Sequence, residues 1–359
     1  MENGEIKRMF GAIPKEKFRV HNWRDEITEL GRIEEKWVEN ACEGAVKYDW
    51  PVQVNKLLSK DTPEGGNFSL VLSIGQVVPH EVAGMANHAK NIFIGTGGKE
   101  AIDKSHFAGA VYGMERIMGR TDTPVRALFD EGLRRFEPKM PPILWALTVA
   151  GERKETEITE GSTQAVRGLF IGFGRECFEK AAALSREINV NVINEPVNKA
   201  VVYLDPNEYR TTWLGNKAVY RTRMAIADGG ELVILAPALE RFGEDLQVDA
   251  IIRKYGYRGA AEIIAETAKN PELGENLSAA AHLIHGSSEG RFTIRYCPGE
   301  KLSRKEIESA GFEYGDLNEA FALYNFNKLK TGWNTVNGER IFYINNPALG
   351  LWANKGVFR

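Results

Sequence analysis

The strongest constraint on the fold of this chain is its alternation of short apolar, β-branched runs with segments of helical period. Apolar runs occur at "FSLVLSI" (68–74), "PILWALTVA" (142–150), "KAVVYL" (199–204), "ELVILAPAL" (231–239), "RFTIRY" (291–296) and "RIFYIN" (340–345). Several are apolar at consecutive positions, the pattern of strands covered on both faces, and the segments between them carry helical spacing. Such alternation predicts an α/β protein with mostly parallel sheets. A helix is expected over "GSTQAVRGLFIGFGRECFEKAAALSREI", capped at Gly161-Ser162-Thr163. Another is expected over 215–230, ended by Asp228-Gly229-Gly230, and Ser303 with Glu306 spells a capping box closed by Gly311.

At 359 residues the chain exceeds what one hydrophobic core usually holds. The polar, proline-containing stretch "NVINEPVNK" (191–199) follows a long helical pattern and precedes a fresh apolar strand. The expected organisation is two α/β domains facing across a cleft, residues 1–195 and 196–345, with the tail 346–359 returning to the first. Ligands of such folds sit near the carboxyl ends of the strands.

A formal net charge of −3, with no basic stripe, argues against nucleic acid or an anionic membrane as partner. No apolar run reaches the length of a membrane span, and the first residues, "MENGEIKRMFG", have no apolar core of a signal peptide. Cys42, Cys177 and Cys297 are odd in number and widely spaced, which suits free thiols in a reducing cytoplasm.

The chemistry concentrates in "PHEVAGMANHAKNIFIGTGGKEAIDKSHF", residues 79–107, which holds three of the six histidines. His80 follows Pro79 at the end of a strand, where an imidazole can move protons near neutral pH. Lys90 follows a run of small residues, where an amine could bind phosphate or form a covalent link. His106 falls on a helix that starts near Lys99. For each residue taken singly, the commoner roles are a backbone-bonded loop histidine, a solvated lysine and a packed histidine. The spacing of His80, His88 and His106 does not fit a zinc site, and "GTGG" (95–98) lacks the Lys-Ser/Thr ending of a phosphate loop. No GxGxxG follows any expected strand, which argues against a diffusible nicotinamide.

Taken together, the stretch resembles the lactate racemase family: Gly75, Val77, Pro79 and His80, then Ala83-Gly84 to Lys90, then Gly95 and Gly98 to His106, without a gap. A second match is "LGNKAVYRTRMAIADGGELVILAPALERFGED", in which Lys217 falls on the family's substrate-site lysine and Leu214 replaces its glutamine. The resemblance implies a nickel-pincer nucleotide, joined to Lys90 as a thioamide with His106 as the nickel ligand. It also implies cofactor-synthesis enzymes as partners. His80 would be general base on the C2 hydroxyl of a 2-hydroxy acid, hydride would leave and return at C2, and Lys217 would stabilise charge on the substrate's oxygens. The reaction implied is inversion of C2 of a lactate-like or sugar acid; Trp213, Asn216 and Arg221 incline it towards an aldonate. His282 and His285, three apart on an expected helix, are candidates to line the site.

The family's other catalytic histidine precedes a methionine and an acidic helix that "ENGEIKRMFG" resembles, so a chain begun at an internal methionine, or a degenerate copy, is expected. His21 matches a different, later family position. The rival expectation is a non-catalytic truncated homologue that binds a nucleotide or acid without turnover.

Overall fold

A computed structural model describes residues 7, 10–152, 164–348 and 350–358. The apolar runs become strands, shifted by a few residues where a turn or proline ends them. β1 (Ile27–Ile33) and β2 (Trp50–Asn55) pair antiparallel. β3 (Val71–Gln76) leads to a two-residue ladder of β4 (Pro79–His80) on β5 (Gly84–Met85). β6 (Ile143–Glu152) runs parallel to β3, and β7 (Gln164–Gly172) turns back antiparallel on β6. Beneath this three-stranded sheet lies one core, with Trp145, Leu147 and Val149 of β6 packed against Phe178 and Ala181 of the helix Arg175–Asn189.

After β8 (Val190–Ile193), the strands β9 (Val197–Tyr203), β10 (Ile226–Ala236), β11 (Thr293–Pro298), β12 (Glu313–Tyr314), β13 (Gly332–Val336) and β14 (Glu339–Ile344) form a second sheet. Its order is β12-β11-β10-β9-β14-β13, parallel except for β13. Alternate residues of β10 feed opposite faces: Leu232 and Ile234 enter a large core, while Val233 and Leu235 pack with Ala320 and Tyr324. Both faces are covered, as a parallel sheet requires. β15 (Leu351–Asn354) pairs with β8, so the last strand of the chain lies beside residues 190–193.

Two expected helices are corrected. Within 161–188, residues 164–172 are β7 and the helix begins only at Arg175; the expected cap at Gly161–Thr163 lies outside the described residues. The reason is period: Leu169, Ile171 and Phe173 alternate outwards while Phe170 packs against the core beneath the sheet, and Gly172-Phe173-Gly174 separates the strand from the helix. Within 215–230 the helix ends at Thr222, since Ile226 already pairs with Val197. Asp228-Gly229-Gly230 then forms a bulge between Ile226 and Glu231, with Gly229 at φ 76°, where a side chain would strain the backbone. The capping box is present, with Ser303 and Glu306 bonded reciprocally ahead of the helix Arg304–Ser309.

The expectation that the strands are covered on both faces fails for β3. Leu72 and Ile74 are 54% and 65% exposed, so among the described residues that side of the sheet is left uncovered there. Among the described residues, no helix is long and apolar enough to cross a membrane. All three cysteines are free and buried.

Candidate functional site

The site begins where β3 ends. The chain passes from Gln76 into the β4–β5 hairpin, whose turn is Glu81-Val82-Ala83. Gly84 sits at φ 76°, and a Cβ there would collide with the Arg120 carbonyl, so glycine is required twice over. The turn folds back on His80, whose Nδ1 accepts from the backbone amides of Val82 (3.1 Å) and Ala83 (3.4 Å). A neutral ring that accepts at Nδ1 carries its proton on Nε2, which lies 3.9 Å from the Glu81 carboxylate.

Asn87 (φ 72°) and His88 (φ 57°) then hold the left-handed region in succession, a strained geometry for non-glycine residues. The Asn87 side chain accepts from the His88 amide at 2.7 Å, and Gly75 leaves room for it, since a Cβ at 75 would overlap the Asn87 amide. Arg126, fully buried on the helix Pro124–Phe136, donates to the carbonyls of Asn87 (3.1 Å) and Met85. Its guanidinium stands 4.4 Å over the Phe178 ring, and burial pushes its pKa down to about 9. The strained segment that delivers Lys90 is therefore clamped by one arginine. Arg126→Met keeps most of the volume but leaves two carbonyls without donors. It is expected to cost about 2–4 kcal/mol in urea denaturation, with Arg126→Lys recovering only part.

Lys90 and His106 come from two helices of the same half, Ala89–Phe93 and Lys99–Tyr112. His106 Nδ1 donates to the Ile102 carbonyl at 2.7 Å, which fixes the tautomer and leaves the Nε2 lone pair free. Lys217 and Arg221 approach from the other half, one turn apart on the helix Lys217–Thr222. His285 ends the helix Leu277–His285, which packs against Lys99–Tyr112; the Ser278 amide and the Lys99 amine bridge the two, to Asp103 and the Glu275 carbonyl. The ion pair of Arg223 with Glu115 (2.6 Å) joins the same two halves.

The charges on these groups act on one another. Burial pushes the Lys90 amine down, and the charges of Arg126 and Lys217 push it further. Burial and Arg221 do the same to Lys217. Burial also lowers His106, helped by Lys90, and it lowers His80 most strongly, with Lys90 and His106 adding to the effect. Glu81 is the counter-charge: burial opposes its ionisation, but His80 and Arg221 outweigh that and hold it far below the usual carboxylate range. His80 and Glu81 lie deep among other groups yet keep 16% and 22% of their side-chain surface open, so they line a crevice that solvent reaches. Arg221 is 3% exposed; its Nη2 meets the Ala348 carbonyl at a long 3.5 Å, while Nε and Nη1 have no partner among the described residues. His285 Nε2 is likewise unpartnered.

The structure thus brings His80, Lys90, His106 and Lys217 within reach of one another's charges together with Arg221 and His285, and adds Glu81. Glu81 was readable only as the neighbour of His80; no spacing marked it as the site's anion. His282 goes to the core, with Nδ1 on the Tyr220 hydroxyl (2.6 Å), Nε2 on the Tyr257 hydroxyl (2.9 Å) and the Trp213 ring centroid 4.3 Å away. Asn216 is fully buried and accepts from Tyr296 at 2.7 Å. His88 is buried with its ring 4.3 Å from that of Trp145 and 5.2 Å from that of Phe178. His21 is tied to Gly97 and Asn55. The glycines of 95–98 serve close packing: a Cβ at Gly97 would strike the Phe93 carbonyl, and one at Gly98 the Gln53 side chain. Among the described residues, no three His, Cys, Asp or Glu side chains converge as a metal site.

These features define an α/β protein whose two cores meet at a crevice of cationic and imidazole groups around the Glu81 carboxylate. Compared with protein-family models and with curated proteins, the sequence matches none. Among solved structures it is similar to a Thermotoga maritima protein determined by the Northeast Structural Genomics Consortium, at 23% identity and a TM-score of 0.80, over 99% of this chain and 83% of that one. It is also similar to the lactate racemase apoprotein from Thermoanaerobacterium thermosaccharolyticum, at 14% identity and a TM-score of 0.66, over 98% of this chain and 75% of that one. The fold is lactate racemase-like.

Proposed function

We propose that the crevice inverts C2 of a 2-hydroxy acid, with Lys90 joined to a nickel-pincer nucleotide and His106 as the nickel ligand. One observation carries this reading: a depressed, buried amine at Lys90 beside an imidazole whose Nδ1 is engaged and whose Nε2 lone pair is free. An amine must be neutral to form an amide-type bond, and burial favours that form. A metal that brings carbon and sulfur donors needs one imidazole from the protein, which is what His106 offers. When bound, such a group supplies a hydride acceptor and donor for C2. Lys217 and Arg221 hold the substrate's carboxylate, the arginine through the two nitrogens that lack partners. Glu81 keeps those cations from repelling one another before substrate arrives.

His80 is the proton-transfer group. Its Nε2 carries the proton in the resting ring, so it meets a substrate oxygen as a donor; acting as base requires the other tautomer, whose Nδ1 proton must displace the two amides. That requirement favours, as a second reading, a homologue that binds the acid or nucleotide without turnover.

Intact-mass and metal analysis of protein produced together with cofactor-synthesis enzymes tests both. A mass increase lost in Lys90→Ala, with nickel lost in His106→Ala, is expected. An unmodified Lys90 without nickel overturns the proposal, and a loaded protein that never inverts C2 selects the second reading.

A further inference from the structure

The three-stranded sheet β3-β6-β7 has one face on the core and one in water, and the face in water is apolar. Register places Leu72 beside Leu144, then Ile74–Ala146–Ile171 in one row, Gln76–Thr148–Leu169 in the next, and Ala150 beside Val166. No charged residue points outwards at these positions. Phe68 and Leu70 extend the face ahead of β3, and Phe173 extends it beyond β7. Exposure is 49% at Phe68, 46% at Leu70, 54% at Leu72, 65% at Ile74, 68% at Val166, 59% at Leu169, 60% at Ile171 and 60% at Phe173. With about 200 Å² of surface per large apolar residue, these fractions leave on the order of 900 Å² of apolar surface in water. Monomers rarely show more than a few hundred Å² in one patch.

We propose that this face is the interface of a homodimer, two sheets packed face to face about a two-fold axis. Area is the first argument: about 800 Å² per partner is the size of a stable, specific interface. Shape is the second. Large side chains stand on the outer strands, Leu72 and Ile74 on β3 and Leu169 and Ile171 on β7, while the middle strand, beyond Leu144 at one end, offers Ala146, Thr148 and Ala150. The face is therefore two ridges flanking a trough. A ridge of one copy fits the trough of another, and a two-fold axis makes the fit reciprocal, as an isologous interface requires. Charge is the third: without a cation at the mapped positions, the face offers nothing to an anionic lipid surface or a nucleic acid.

Sedimentation equilibrium of the purified full chain, across micromolar concentrations, tests the proposal. The expected result is twice the chain mass for the wild type and a single chain mass for Leu72→Glu and, separately, Ile171→Glu. Both positions face water in the single chain, so each variant should keep the wild-type circular dichroism; Ile74→Lys is the replacement should either fail to fold. A monomeric wild type overturns the proposal. A dimer that survives all three substitutions overturns it too, because the contact then lies elsewhere. A monomer whose β3 and β7 amides resist hydrogen exchange would show that another segment or a different partner covers the face.

Discussion

Lowering the pH from 7 to 4 is expected to remove most of the protein's stability, and the loss should begin near pH 6.5. Five histidines cause it: His80 and His106, both lowered by burial, and three more. Burial pushes His88 down to about 3, aided by the charge of Arg126; burial pushes His282 to about 3 and His285 to about 4. All three are at most 6% exposed, so water does little to screen the effect. Their folded values lie below the ordinary 6.5, so above that pH both states are neutral and the groups leave stability unchanged. Below it the unfolded chain binds a proton at each of the five that the folded chain refuses, until the folded values are reached. The slope is about 1.4 kcal/mol per pH unit for each group, or about 4 from His88, His282 and His285 alone, against a total stability on the order of 5–15 kcal/mol. Carboxylates act lower down. Glu131 and Glu306, held at about 2 mainly by hydrogen bonds from Arg134 and from Ser303, add stability that is lost only below 4.5. Urea unfolding at pH 7, 6 and 5 separates the two groups: a fall across this range belongs to histidines, and a constant free energy would contradict the burial described above. His88→Asn, which tolerates the left-handed backbone at that position, should flatten the slope by one group's share, about 1.4 kcal/mol per pH unit.

How much of this was legible beforehand follows from what each feature depends on. The parallel strands of the second sheet are apolar at consecutive positions because both faces are covered, and that signal is local. The capping box is also local, as is the helix that starts at Lys99. β7 was hidden because its outward residues are apolar too, so a strand with one bare face imitates the apolar density of a helix until its pairing with β6 is seen. The bulge at 228–230 was read as a helix end, since glycine pairs serve either purpose. At the site, His80, Lys90, His106 and Lys217 stood out only through the resemblance to the lactate racemase family, since His80, Lys90 and His106 taken singly read as ordinary loop, surface and packed residues. Glu81 and Arg126 were not legible, because their roles arise from charges and carbonyls that lie far away in the chain. His282 shows the opposite case: a histidine one turn from the site is consumed by two tyrosine hydroxyls.

Glu81→Gln is expected to damage the site through charge rather than volume. The carboxylate is the counter-ion for Lys90, Lys217 and Arg221, and it favours the charged form of each. Glutamine is nearly isosteric and removes that attraction, leaving three cations that burial already lowers, two of which, Lys90 and Lys217, are lowered further by neighbouring cations. Removing one partner from a fully buried ion pair costs about 3–5 kcal/mol; with 22% of the Glu81 side chain open to water, about 2–3 kcal/mol is expected here. The pH dependence should change with it. Wild-type Glu81 titrates far below the ordinary carboxylate value, so its contribution is complete above about pH 4.5 and is lost as the pH falls. The variant should therefore be less stable than wild type at pH 7, and the gap should narrow as acid protonates the wild-type carboxyl. A double-mutant cycle with Arg221→Gln isolates the cause. If the pair is coupled through charge, the second substitution should cost much less in the Glu81→Gln background than alone, because the unpaired cation has gone. Equal costs in both backgrounds would mean that Glu81 holds the β4–β5 turn by packing alone, and the crevice would then lack the anion that lets its cations stand together.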